Sequence, residues 1–124
     1  MEQKKVLIID DDARNIFALK AVLRSRGISC ISASSGAEGL ELLAGEHQVG
    51  VVLMDIMMPD MDGYETIAAL RAQAPNSRLP IIAVTAQAMV GDREKCLQAG
   101  ADNYISKPVD VDVLLSQIQQ YLAD

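Results

Sequence analysis

Four short stretches of this chain carry side chains on which chemistry could be built: Asp10-Asp11-Asp12, Asp55, Thr85 and Lys107. Each follows a strand-length run. Val6-Leu7-Ile8-Ile9 leads to Asp10, Val51-Val52-Leu53-Met54 to Asp55, Ile81-Ile82-Ala83-Val84 to Thr85, and Asn103-Tyr104-Ile105-Ser106 to Lys107. A carboxylate at the carboxyl end of a buried strand sits where open parallel α/β sheets place their ligands. Asp55 is a single carboxylate that closes its run, and the turn-rich stretch Ile56 to Gly63 follows it. It reads as a nucleophile able to accept a phosphoryl group, a recognised form of covalent catalysis.

Singly, each of these residues has an ordinary explanation. Aspartate after a strand is often a helix N-cap, which is the reading for Asp12. Threonine at a strand end is common, and a lysine before proline is usually solvated. The set is different, because a parallel sheet would bring all these strand ends to one edge. Asp10, Asp11 and Asp55 there would repel one another unless a cation joined them. Hard oxygen donors without nearby His or Cys point to Mg2+, with Mn2+ able to take its place. Lys107 adds one more positive charge, so three carboxylates, a divalent ion and a lysine sum to neutrality. Such a site suits an incoming phosphoryl group, with charge neutralised while Asp55 attacks in line. The Thr85 hydroxyl can donate to a phosphoryl oxygen and draw its loop inward. Ala86 beside it is small enough to leave room, and Tyr104 could turn between exposed and buried positions.

The elements that must position these residues alternate along the chain. A helix from about Asp12 to Arg26 carries Ile16, Leu19 and Leu23 on one face and stops at Gly27. Ile28 to Ala33 is a less apolar strand, expected near a sheet edge. Ser35 and Glu38 have capping-box spacing before a helix that turns Leu40, Leu43 and Ala44 inward. Val49 to Met54 is the central strand, and Asp62 with Glu65 repeats the cap spacing before a helix with Tyr64, Ile67 and Leu70. Ala74 to Pro80 reads as a loop, since neither a helix nor a central strand would keep both of its prolines. A weaker helical pattern covers about Met89 to Ala99 and stops at Gly100. The last helix has Val111, Leu114, Leu115, Ile118 and Leu122 on its apolar face. This is a (βα)5 pattern with continuous apolar strands, predicting a five-stranded parallel sheet covered on both faces. Strand order 2-1-3-4-5 is expected for it.

Bulk properties remove several function classes. The 124 residues suit a single domain spanning 1–124. With a net charge of -6 and one Phe and three Tyr as its only aromatics, the chain is a poor direct partner for nucleic acid. No run reaches the roughly 18 apolar residues of a membrane helix, and the amino terminus lacks a secretory pattern, so the chain reads as cytoplasmic. Cys30 and Cys96 read as unpaired thiols, with Cys96 in helix packing. His47 reads as a solvated loop residue, and Met54, Met57, Met58 and Met61 as packing residues around the acceptor strand.

With these residues in view, the chain resembles the receiver domains of two-component response regulators. The likeness spans about Lys5 to Leu122. It is carried by Leu7-Ile8-Ile9-Asp10-Asp11, Met54-Asp55 through Asp62-Gly63, Val84-Thr85-Ala86 and Ser106-Lys107-Pro108, in that order. The resemblance implies a flavodoxin-like three-layer sandwich, with Asp55 as phosphoacceptor and Mg2+ as the required ion. It implies that Asp11 and Asp55 ligate the metal by side chain, Met57 by its backbone carbonyl, and Asp10 largely through water. Lys107 would contact the phosphoryl group, the Lys107-Pro108 bond would be cis, and Thr85 and Tyr104 would form a switch pair. Signalling would run through the face of the fourth helix, fifth strand and fifth helix, roughly Met89 to Leu122, which could also self-associate. Met57 and Gln87 would tune the phosphoryl lifetime, with apolar Met57 favouring a moderately long one. The implied partners are a sensor histidine kinase or a histidine phosphotransfer domain. The implied catalysis is limited to the chain's own aspartyl phosphorylation and dephosphorylation. The stretches Ala13 to Leu19 and Val90 to Gly100 look most like receivers attached to hybrid sensor histidine kinases, with a free-standing regulator as the other reading.

Two other readings compete. A haloacid-dehalogenase-type phosphatase also uses an aspartyl phosphate, and Asp10-Asp11-Asp12 contains its Asp-x-Asp. Arg14, however, stands where that family has threonine, and there is no room for a cap domain. A flavodoxin-like cofactor carrier needs a phosphate-cradling loop after the first strand, where three aspartates would repel phosphate.

Overall fold

A computed structural model describes residues 4–45, 47–58, 62–73, 76–85 and 91–122. Five strands alternate with five helices: β1 Lys5–Ile9, α1 Ala13–Ser25, β2 Cys30–Ala33, α2 Gly36–Ala44, β3 Val49–Asp55, α3 Gly63–Ala72, β4 Ile81–Thr85, α4 Asp92–Ala99, β5 Asn103–Ser106 and α5 Val111–Leu122. The strands form one parallel sheet in the expected order β2-β1-β3-β4-β5, with β2 at an edge.

Alternation along the strands sends side chains to two cores. Leu7, Ile9, Val52, Met54, Ile81 and Ala83 pack with Leu43, Ile67, Leu70 and Cys96, so α2, α3 and α4 cover that face. Val6, Ile8, Val51, Leu53, Ile82 and Ile105 pack with Leu23, Leu114, Leu115 and Ile118 from α1 and α5. The result is the expected three-layer sandwich. Gly50 breaks the alternation. Lys5 pairs with Val49 and Val6 with Val51, leaving Gly50 as a bulge, so Val49 and Val51 face opposite cores. A Cβ at Gly50 would lie 2.7 Å from Lys4 Cβ and 2.8 Å from Leu122 Cδ2, which leaves no room for a side chain.

Helix starts follow the sequence closely. The Asp12 carboxylate accepts from Arg14 N–H (2.9 Å), and that of Asp62 accepts from Glu65 N–H (2.9 Å). The Ser35 hydroxyl accepts from Glu38 N–H as expected, but the return bond is displaced. Glu38 reaches the Ser34 N–H and hydroxyl instead of Ser35 N–H, so the capping box closes one residue early.

Other expectations need correction. Ala44 is exposed, because Leu43 beside it takes the core-facing position of the last turn of α2. Val111 is 38% exposed, because the first turn of α5 stands clear of the core that Leu114 reaches. The loop before β4 contains a 3-10 turn, Asn76–Arg78, and β2 begins at Cys30, two residues later than the sequence pattern predicts. α4 is described from Asp92; its expected beginning at Met89 lies outside the described residues. His47 is no solvated loop residue. Its Nδ1 accepts from Val49 N–H (3.2 Å), so Nε2 carries the proton and donates to Asn76 Oδ1 (2.8 Å). Buried Asn76 then donates to the Leu43 carbonyl (2.6 Å), closing the end of α2. Neither Cys30 nor Cys96 forms a disulfide among the described residues, and Cys96 is fully buried in the core as expected.

Arg71 clamps the end of the sheet at which β4 and β5 begin. Its guanidinium donates to Gly100 O (2.6 and 2.9 Å) and to Leu79 O (2.6 Å), and pairs with Asp102 at 2.8 Å. Asp102 also accepts from Ile81 N–H (2.8 Å), so one side chain joins α3, the start of β4 and the α4–β5 turn. Arg71→Met should lower unfolding stability by about 2 kcal/mol, because two half-buried carbonyls lose a charged donor. Denaturant titration checks this; a change below about 0.5 kcal/mol would show water replacing the clamp.

Candidate functional site

The carboxyl ends of β1, β3, β4 and β5 lie at one edge of the sheet, and Asp10, Asp11, Asp55, Thr85 and Lys107 are gathered there. Asp10 and Asp55 are 4% exposed, while Asp11 projects into solvent. One carboxylate oxygen from each of the three lies within 4.8 Å of the others. Lys107 Nζ is 3.6 Å from Asp55 Oδ1. These residues come from three strand ends separated by some 45 to 52 positions in sequence, and only parallel topology brings them together.

Local bonds hold the carboxylates in place. Asp12 N–H donates to Asp10 Oδ1 (2.8 Å), turning Asp10 back against its own loop. Met57 N–H donates to Asp55 Oδ1 at 3.3 Å, the same oxygen that faces Lys107. The close approach of α3 supports the acceptor from below: Gly63 N–H donates to Ile56 O (3.0 Å), and a Cβ at Gly63 would fall 2.7 Å from Asp55 O. Lys107 is anchored through its main chain, whose N–H donates to Thr85 O (2.7 Å), and the Lys107-Pro108 peptide is cis as the resemblance implies.

The electrostatics mark Asp55 out. Burial, first, and the Asp10 charge beside it, second, push its pKa up from 3.8 to about 6. Lys107 and the Met57 N–H oppose the rise without cancelling it. In the absence of a cation the site therefore holds a carboxylate that resists ionisation. Three converging oxygen donors, with no sulfur or nitrogen among them, match what a hard divalent ion requires. The structure thus presents an acidic pocket able to hold such an ion.

Thr85 is buried, and its register partner is Ser106, whereas Tyr104 lies opposite Ala83. Because Thr85 is two residues beyond Ala83, Thr85 and Tyr104 share the sheet face covered by α3 and α4. Tyr104 is half-buried against that core, between the two positions expected of it. Ala86 and Gln87 lie outside the described residues, as do Pro59, Asp60 and Met61. Among the methionines, Met54 and Met58 pack as expected, but Met57 is 53% exposed because its loop has left the sheet.

The sequence reading missed the gap beside the site. A cavity of about 310 Å³ lies between α1 and the start of α5 and reaches Asp10, Asp55 and Lys107. Two short side chains on α1, half-buried Asn15 and exposed Ala18, were the available signal, but no linear pattern says what stands opposite them.

Comparison with known proteins agrees with this geometry. Residues 6–119 match the family described as the response regulator receiver domain. The polar-differentiation response regulator DivK of Brucella ovis is 38% identical over 121 residues, covering 98% of each chain. The receiver domain of the sensor histidine kinase PA1611 from Pseudomonas aeruginosa, solved with a magnesium ion in its active site cleft, is 34% identical. It superposes with a TM-score of 0.87 over 99% of this chain and 100% of that one. A putative response regulator from Chloroflexus aurantiacus superposes with a TM-score of 0.91 at 29% identity, over 99% of this chain and 100% of that one. These matches lend nothing to a haloacid-dehalogenase-type phosphatase or a flavodoxin-like cofactor carrier. Among the described residues no helix is long and apolar enough to cross a membrane. The (βα)5 sheet, the acidic pocket at its carboxyl edge and the match over nearly the whole length lead to one conclusion: this chain belongs to the response regulator receiver domain family, the signalling modules of two-component systems.

Proposed function

We propose that this chain is the phosphoacceptor module of a cytoplasmic two-component phosphorelay, with Asp55 as the residue phosphorylated. The observation that carries it is the convergence of Asp10, Asp11 and Asp55 within 4.8 Å, with Lys107 Nζ 3.6 Å from the acceptor carboxylate. The donor is a phosphohistidine on a sensor histidine kinase or a histidine phosphotransfer domain. An Asp55 oxygen bonds to phosphorus as the bond from phosphorus to imidazole nitrogen breaks, and the imidazole leaves with the bonding pair. The Asp11 and Asp55 side chains, the Met57 carbonyl and Asp10 through water would hold Mg2+, or Mn2+ in its place. Bound there, the ion would neutralise charge on the transferring group. Lys107 contacts the phosphoryl oxygens from the other side. The Thr85 hydroxyl donates to one of them, and Tyr104 on the same sheet face follows the movement. Ala86 beside Thr85 gives room for it.

The face built from α4, β5 and α5 carries the signal onward and is where a partner or a second copy would attach. Met57, exposed in the loop that follows the acceptor, and Gln87 tune how quickly water removes the phosphoryl group. The only reactions catalysed are the chain's own phosphorylation and dephosphorylation. Residues 1–124 act as one receiver unit, most like those attached to hybrid histidine kinases, with a free-standing regulator as the other reading.

Incubation with acetyl phosphate and Mg2+, followed by peptide mass spectrometry, tests this reading. The expected result is a single base-labile phosphoryl adduct on the peptide containing Asp55, lost when EDTA replaces Mg2+. A base-stable adduct, or one formed equally in EDTA, would overturn it.

A further inference from the structure

Resting on that reading of Asp55, we propose that the cavity beside it selects among small phosphodonors, favouring acyl phosphates whose acyl group is longer than acetyl. The cavity of about 310 Å³ is continuous with the acceptor site, since Asp55 and Lys107 belong to its lining. Beyond the polar end formed by Asp10, Asp55 and Lys107, and apart from Asn15 on α1, its walls are apolar. Ala18, Leu19 and Val22 line it from α1, and Val109 and Val111 from the approach to α5. Its mouth is open to solvent: Ala18 is exposed and Val111 is 38% exposed. A ligand using both parts must join a phosphoryl head, placed between Asp55 and Lys107, to a short apolar body. An acyl phosphate has that build.

Its chemistry balances at this site. An Asp55 carboxylate oxygen bonds to phosphorus as the bond from phosphorus to the acyl oxygen breaks. The acyl group departs as a carboxylate with the bonding pair, and no proton or electron is exchanged. The leaving oxygen points away from Asp55, so a two-carbon acyl group ends in solvent, whereas a longer chain can fold back past Lys107 into the apolar gap. Each methylene so buried favours binding by roughly three- to fourfold. Acetate and butyrate are nearly equal as leaving groups, so a rate difference between their phosphates reports contact rather than reactivity.

The test compares phosphorylation of the whole chain by acetyl phosphate and by butyryl phosphate at equal Mg2+, reading the second-order rate of adduct formation on Asp55. The expected preference for butyryl phosphate is roughly tenfold, from two extra methylenes. Ala18→Phe, at an exposed position of α1 that puts a large side chain into the cavity mouth, should bring the ratio close to one. Equal rates with the two donors in the native chain would overturn the inference while leaving Asp55 as acceptor. So would a tenfold preference that survives in Ala18→Phe. Failure of both donors to modify Asp55 would overturn the phosphoacceptor reading itself.

Discussion

Asp55→Asn should abolish phosphoryl uptake and, without divalent cation, make the folded chain more stable than the native one. Uptake is lost because an amide has no anionic oxygen to attack phosphorus. The gain in stability has a separate origin. The Asp55 carboxyl titrates near 6 in the folded chain, against 3.8 when free, because it is buried and faces Asp10. Between those values the folded state binds more protons than the unfolded one, so stability falls as pH rises from about 4 to about 6 and stays low above it. Two pKa steps correspond to about 3 kcal/mol, which solvent at the mouth of the site reduces to roughly 2 kcal/mol. For a chain of this length that is a rise in Tm of roughly 5–10 °C for the asparagine variant at pH 7 in EDTA. The advantage should vanish toward pH 4, and it should also shrink when Mg2+ is added to the native chain. Urea titrations at pH 4 and pH 7, in EDTA and in Mg2+, check both statements. A stability difference that ignores pH would place the repulsion somewhere other than the Asp55 carboxylate.

Lys107→Met should slow phosphorylation about a hundredfold, the usual cost of deleting one preorganised charged donor at a site of developing charge. The methionine keeps the length and apolar stem of lysine, and the main-chain bond from residue 107 to Thr85 O does not depend on the side chain. The loop should therefore stay in place, and circular dichroism should match the native chain. The Asp55 carboxyl should rise further, because Lys107 is the charge that now holds it down. Rates with acetyl phosphate across pH 6 to 8 read both effects together. A rate within threefold of native would assign the neutralising role to the metal alone.

The site was readable to an unusual degree because each of its parts terminates a strand. Asp10, Asp55, Thr85 and Lys107 could be placed from runs of apolar residues and from the order of the sheet, without knowledge of any contact. Helix entry at Asp12 and Asp62 was legible for a similar reason, since a cap bond spans only two or three residues. His47 shows the opposite case. Its partner Asn76 is 29 residues away, and nothing near either residue announces the other. Arg71 is another, since all but one of the groups it binds lie eight or more residues away.

By itself, then, the amino-acid sequence determined the alternation of five strands and five helices, the parallel order, and the residues that gather at the carboxyl edge. These follow from periodicity and from the handedness of crossovers, which act within one or two elements. Only the tertiary structure decided the bulge at Gly50, which sends Val49 and Val51 to opposite cores, and the closeness of Lys4 and Leu122, which leaves that position no room for a side chain. The exposure of Ala44, Met57 and Val111 was likewise settled by how each helix or loop meets the core. The raised pKa of Asp55 and the apolar gap beside it belong to the same class. Burial, charge proximity and empty space are properties of what stands opposite a residue, and a chain read along its length does not contain them.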